Sequence, residues 1–156
     1  MSVIFGTSSV EVAPIKPDGS MPLETAFTEL CKTYKNSVEI VDQDPTTTEE
    51  YSDQSTEPIA AFVEAGKTEG KFSGYEYAPE TLTKLLGGTV VDNEWMEGDN
   101  MGQEVALRFK TDSGHQISYP KVKLFGKKNL KLQKNAIALI DCTFTPLSKA
   151  RIKKLP

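Results

Sequence analysis

Along most of the chain, apolar residues recur at every second position, the spacing that places them on one face of a β-strand. "EVALRFK" (104–110) sets Val105, Leu107 and Phe109 on one face, and "AIALIDCTFTPL" (136–147) does the same with Ala138, Ile140, Cys142 and Phe144. "SVEIV" (37–41), "TVVDNEW" (89–95) and "QISYPKVKLFG" (116–126) read as further strands, and Thr111 to His115 as a glycine-bearing hairpin loop. Residues 2–12 place Val3, Phe5, Val10 and Val12 around an interruption at Gly6 to Ser9, which predicts a bent strand or a strand pair; a loop follows over 13–22. Residues 59–77 predict a hairpin turning within Gly66 to Gly70, with Phe62, Phe72, Tyr75 and Tyr77 on its arms.

Two stretches break the alternation with helical spacing. From 23 to 34, Leu23, Phe27, Leu30 and Tyr34 fit a helix, although Thr25, Thr28 and Thr33 would also suit a strand. In "PETLTKLLGGTVV" (79–91), Pro79 suits the first helical position, Glu80 favours the positive end, and Leu82, Leu85 and Leu86 share one side. The double glycine comes behind this helix. A phosphate-binding loop needs its glycines in front, where free N–H groups face the anion. Gly87 and Gly88 therefore end the helix, with Gly87 in a left-handed conformation. A helix of about eight residues is marginal in water, so its leucines must dock on a sheet. The longest irregular tract is "DQDPTTTEEYSDQSTEP" (42–58), with Asp42, Asp44, Glu49, Glu50, Asp53 and Glu57 and no base. A like-charged tract of that length reads as an interaction loop. Eight or nine strands, one or two short helices and a turn about every ten residues predict a mainly β fold, an antiparallel β-sandwich or barrel with short flanking helices.

Length and charge narrow the class. At 156 residues the expectation is one domain spanning 1–156. No apolar run approaches a membrane span, and "MSVIFGTSSVEV" alternates where an export signal would carry a basic start and a greasy core, so a soluble, non-exported chain is expected. The net charge is −4, but residues 1–104 hold 20 of the 22 acids and 6 of the 18 bases, whereas 105–156 hold 2 acids and 12 bases. The basic end over 147–156 contributes Lys149, Arg151, Lys153 and Lys154, a possible contact face. Nucleic-acid binding, head-to-tail self-association and simple solvation of a lopsided fold all account for such a split. The lysines lack the interleaved aromatics of a single-strand groove.

Catalytic chemistry finds no foothold in the residues. Cys31 and Cys142 stand far apart with no metal-ligand spacing and read as reduced thiols. Asp42 and Asp44 lack the glycine and terminal glutamate of a calcium loop. Ser113 and His115, two residues apart on a turn, do not suit a nucleophile and base. Carboxylates on a solvated loop lack the raised pKa of a general acid. Trp95 reads as a core or interface anchor. A small β-sandwich hydrolase stays as the enzyme-class alternative. No cofactor, metal or catalytic residue is assigned, and the expected function is binding or building.

"KFSGYEYAPETLTKLLGGTVVDN" (71–93) resembles the tail tube (major tail) proteins of long-tailed bacteriophages, in which a hairpin strand leads into a proline-glutamate helix and a double glycine. "CKTYKNSVEIVDQDPTTTEEYSDQSTEPI" (31–59) is similar to the same family's strand, long acidic loop and return strand; the amino-terminal forty residues and "SKARIKKLP" match nothing diagnostic. The resemblance implies a β-sandwich subunit with no enzymatic activity, made in the cytoplasm of a bacterial host and carried in the virion tail. Its partners would be copies of itself, in hexameric rings stacked head to tail, and other tail proteins; DNA would pass through without specific binding. On this reading Asp42, Asp44, Glu49, Glu50, Tyr51, Asp53 and Glu57 form an assembly loop. Leu82, Leu85, Leu86, Gly87 and Gly88 form the docked and capped helix. A tail terminator, a minor tail protein or a stand-alone β-sandwich binding module are the alternatives, and the same fold serves contractile injection tubes.

Overall fold

The longest strand organises the molecule. In the computed structural model, which describes residues 2–156, β10 (His115–Asn129) runs fifteen residues. Its first half lies between β9 (Gln103–Lys110) and β12 (Arg151–Lys154), and its second half between β9 and β11 (Leu139–Pro146). The change of partner falls where the β9 register slips, between Tyr119 and Val122. Pro120 sits in that slip, where its missing N–H costs no ladder bond. Outward from this centre the sheet runs through β1 (Ser9–Pro14) to β2 (Thr28–Cys31) on one side, and through β6 (Thr68–Gly74) to β3 (Glu39–Asp42) on the other. Just past β2, Thr33 bridges Gly74 of β6, and the Tyr34 N–H donates to the Ser73 carbonyl at 2.7 Å. A single bridge thus links the two flanks and curls the sheet into an antiparallel barrel, with the outer edge of β3 left unpaired among the described strands.

The interior follows from the alternation. Val10, Leu107, Phe109, Val122, Leu124, Ile140, Cys142 and Phe144 point inward with Phe72 and Tyr119, and all are buried. Phe144 is the centre of an aromatic group, with ring centroids 5.4 Å from Phe109, 5.7 Å from Tyr119 and 6.4 Å from Phe72. Helix α1 (Pro79–Leu86) closes this core with Leu82, Leu85 and Leu86. Gly126 of β10 admits the helix, since a side chain there would begin 2.7 Å from the Leu85 carbonyl oxygen. Gly87 ends the helix at φ 75° and its N–H donates to the Thr83 carbonyl, while the Trp95 indole donates to the Gly87 carbonyl at 2.7 Å.

Four sequence expectations change. Residues 23–34 form a 3-10 turn (Glu24–Ala26) and then β2, not a helix, because Phe27 packs on a small outer cluster with Ala13 and Ala106 while Leu30 and Cys31 enter the core. Residues 89–95 are not one strand but a hairpin, β7 (Thr89–Val91) and β8 (Glu94–Met96), whose turn residues Asp92 and Asn93 have φ 52° and 61°. The expected hairpin over 59–77 does not exist. Its two halves, β5 (Pro58–Glu64) and β6, pair with other strands. The tract 42–58 is not one irregular loop: Asp42 ends β3, Thr46–Tyr51 form β4 paired with β5, and Asp44, Asp53 and Glu57 lie in the connections.

Candidate assembly interface

The pair β4–β5 is an arm. It grows out of the β3–β6 ladder, where the Gln43 N–H donates to the Lys67 carbonyl at 2.8 Å, and it forms a two-stranded sheet of its own. Every residue of β4 is exposed, and Tyr51, Ile59, Phe62 and Val63 are 55, 67, 60 and 67% exposed. Register puts Phe62 opposite Thr48 on one face and Val63 opposite Thr47 on the other, so both faces carry uncovered apolar groups. Glu49 and Glu50 point to opposite faces, and the Tyr51 hydroxyl donates to the Glu49 carboxylate. An isolated two-stranded hairpin is marginal in water at best. Acids along its edge discourage indiscriminate strand pairing, which leaves a shaped, charged projection suited to a matching surface.

The basic residues divide. Arg151 and Lys153 of β12 face the barrel's outer polar surface and line a pocket with the buried Arg108, Gln116 and Ser118. Lys154 lies opposite His115 on β12, and Lys149 lies in the preceding connection; both are exposed. Lys153 also pairs with Glu24 at 3.2 Å. Part of the lopsided charge of the sequence is matched within the barrel, where β1 and β9 are neighbours. Five of the seven ion pairs among the described residues join a base after residue 104 to an acid at or before it. Glu11 with Arg108, at 2.8 Å, is the buried one. Burial pushes the Glu11 carboxyl up, but the hydrogen bond and charge of Arg108, helped by Lys110, hold it below its ordinary value.

Sequence reasoning missed Arg108, whose alternation with Leu107 and Phe109 marks an outward position that should be solvated; its burial comes from Phe27, whose ring lies 4.3 Å from the guanidinium carbon. Ser113 and His115 do meet, contrary to expectation, with Oγ 3.0 Å from Nδ1. The other imidazole nitrogen is 2.7 Å from Ser2 Oγ, the place a carboxylate would occupy in a triad. Cys31 and Cys142 are buried free thiols, and burial pushes the Cys31 thiol up to about 12 and that of Cys142 higher still. Among the described residues no three His, Cys, Asp or Glu side chains converge on a point where a metal could sit, and no helix is long and apolar enough to cross a membrane.

No family model and no curated protein matches the chain. Among solved structures, it is similar to the sheath/tube terminator of an extracellular contractile injection system, PVC, in its extended state, seen by cryo-electron microscopy. Identity is 12%, coverage is 98% of this chain and 99% of that one, and the TM-score is 0.46. At that distance the functional reading rests on the chain's own residues.

Proposed function

We propose that the chain is a non-enzymatic structural subunit of a phage-tail-like tube, which associates with copies of itself into rings, of hexameric order in the reading of the sequence, that stack head to tail. The β4–β5 arm carries this proposal. Its large apolar side chains are more than half exposed and belong to no core cluster among the described residues, and the ladder alone does not hold such a hairpin in water. The motif 71–93, which forms the end of β6, α1, β7 and the turn after it, supports the same reading. A projection that fits a different surface on the next copy makes a heterologous contact, which propagates into rings or tubes where a two-fold contact closes. Other tail proteins would meet the ends of such a tube, and DNA would move along its channel without being held. The place of action would be the virion tail, after synthesis in the bacterial cytoplasm.

The test is electron microscopy and sedimentation of the concentrated protein beside a variant in which 45–65 is replaced by a short glycine-serine turn. The wild type should form annular particles or tubes, and the variant should remain monomeric with its melting temperature nearly unchanged. Equal assembly by the variant, or a wild type that stays monomeric at every concentration, would overturn the proposal. Rings that never stack would instead favour a terminator.

A further inference from the structure

The outer face of β1, β9, β10 and β12 carries two polar rows set by strand register. Glu11, Arg108, Ser118 and Arg151 lie opposite one another in sequence across the four strands, and Lys110, Gln116 and Lys153 do so one step along. The segment before β2 lies over them, and Met21, Pro22, Glu24 and Phe27 complete a pocket of about 200 Å³. Beneath this cover Arg108, Gln116 and Ser118 are only 5, 7 and 6% exposed. Arg108 spends one terminal nitrogen on Glu11 at 2.8 Å, and its Nε is sealed with no acceptor among the described residues. The Gln116 amide and the Ser118 hydroxyl also line the pocket.

Buried polar groups are costly unless paired. Here a guanidinium, an amide, a hydroxyl and, at the mouth, Arg151 and Lys153 converge; donors predominate, and only the amide oxygen and the hydroxyl oxygen can accept. Three cations face Glu24 at the rim and Glu11 behind, so the balance is positive. A planar guanidinium beside neutral donors suits oxygen anions in particular. We propose that this pocket is an oxyanion site, sized for a phosphate or a single carboxylate. The anion has two candidate sources: free phosphate, or an acid such as Glu49 or Glu50 on the β4–β5 arm of a second copy. The second source rests on the assembly reading above; the site itself does not. A roofed pocket of this size takes one terminal group rather than a continuous nucleic-acid backbone.

The experiment is a titration of the dilute, monomeric protein with inorganic phosphate at constant ionic strength, followed by amide NMR shifts, alongside an Arg151→Gln/Lys153→Gln variant. Both substitutions are on an exposed edge strand and leave the core intact. Saturable shifts confined to residues around 108, 116, 118 and 151 are expected, with affinity about tenfold or more weaker in the variant. Shifts no larger than sodium chloride produces, or equal affinity in the variant, would overturn the site. So would retention of duplex DNA that phosphate does not compete away. Sedimentation then separates the sources. If phosphate and Glu49→Gln/Glu50→Gln each weaken self-association, the anion is the neighbouring arm's carboxylate; if phosphate binds and association is indifferent to both, the ligand is the free ion. A protein that never associates but binds phosphate saturably defeats the assembly reading alone.

Discussion

Adding one methyl group at Gly70 should be among the most damaging small changes in this protein. Gly70 lies in the middle of β6, opposite Phe144 on β11 and Ile40 on β3. A Cβ there would stand 2.0, 2.2 and 2.6 Å from three atoms of the Phe144 ring, against 3.4 Å or more for ordinary contact. The ring would have to retreat by more than about 1 Å, yet Phe72, Phe109 and Tyr119 surround it. Overpacking of a tight core costs about 1–3 kcal/mol, and the size of this overlap places Gly70→Ala near the upper end. Phe144→Ala alone should cost about 3–5 kcal/mol by leaving a cavity. In that background the new methyl has room, and replacing glycine in a strand then stabilises by roughly 0.5–1 kcal/mol. The double-mutant cycle should therefore return a coupling of about 3 kcal/mol, read as urea midpoints, or as a melting-point loss of about 6–12 °C for Gly70→Ala alone. Additive effects would show that the ring and the glycine do not share one space.

Other perturbations test other joints. Glu11→Gln removes the partner of a buried arginine and should cost about 3–5 kcal/mol, measurable by chemical denaturation. Since folding lowers the Glu11 pKa from 4.5, its contribution is full above that value and is lost as pH falls through the lower folded value. The wild type should lose stability more steeply than Glu11→Gln in that acid window, and parallel profiles would contradict the assignment. Gly87→Val at φ 75° should cost about 1 kcal/mol or more and Leu86→Ala about 2–5 kcal/mol; unchanged melting in both would remove the helix-cap account. Reversal of Lys149, Arg151, Lys153 and Lys154 to glutamate should slow association more than it speeds dissociation, checked by stopped-flow light scattering, and an unaltered association rate would exclude the basic end from the contact.

What the sequence disclosed depended on whether a segment's apolar residues settle its structure. β11 buries one face and alternates accordingly, β9 alternates in residue type although its middle is covered on both faces, and α1 carries its start, its face and its stop within ten residues. Residues 23–34 misled because Phe27 and Leu30 go to two different clusters, on opposite sides of one sheet, and their spacing imitates a helix. The strand β4 has no buried residue at all, so nothing but its ladder with β5 defines it. Gly70 resembled a turn glycine, while its role is to make way for a ring seventy-four positions later. The pocket around Arg108 was illegible for the same reason: its parts come from β9, β10, β12 and the segment before β2, and only register unites them.

The closure of the barrel bears on how the chain acquires its structure in time. Between β9, β10 and β11 every pairing joins consecutive strands, so this meander of 44 residues (103–146) can form early with little loop entropy. The ladder of β1 on β9 instead joins Ser9 to Lys110, and the seam at Thr33 and Gly74 needs both flanks in place before its single bridge can form. Synthesis delivers the strands in the opposite order: β1 can pair with β2 at once, but it emerges long before β9. A nascent chain must therefore hold Val10, Leu30 and Phe72 uncovered until the last third is made. The arm does not wait on any of this, since β4 and β5 pair with each other alone. The surface that would join subunits can thus be ready before the subunit is closed, and premature association through it is the misassembly to expect when the protein is made quickly.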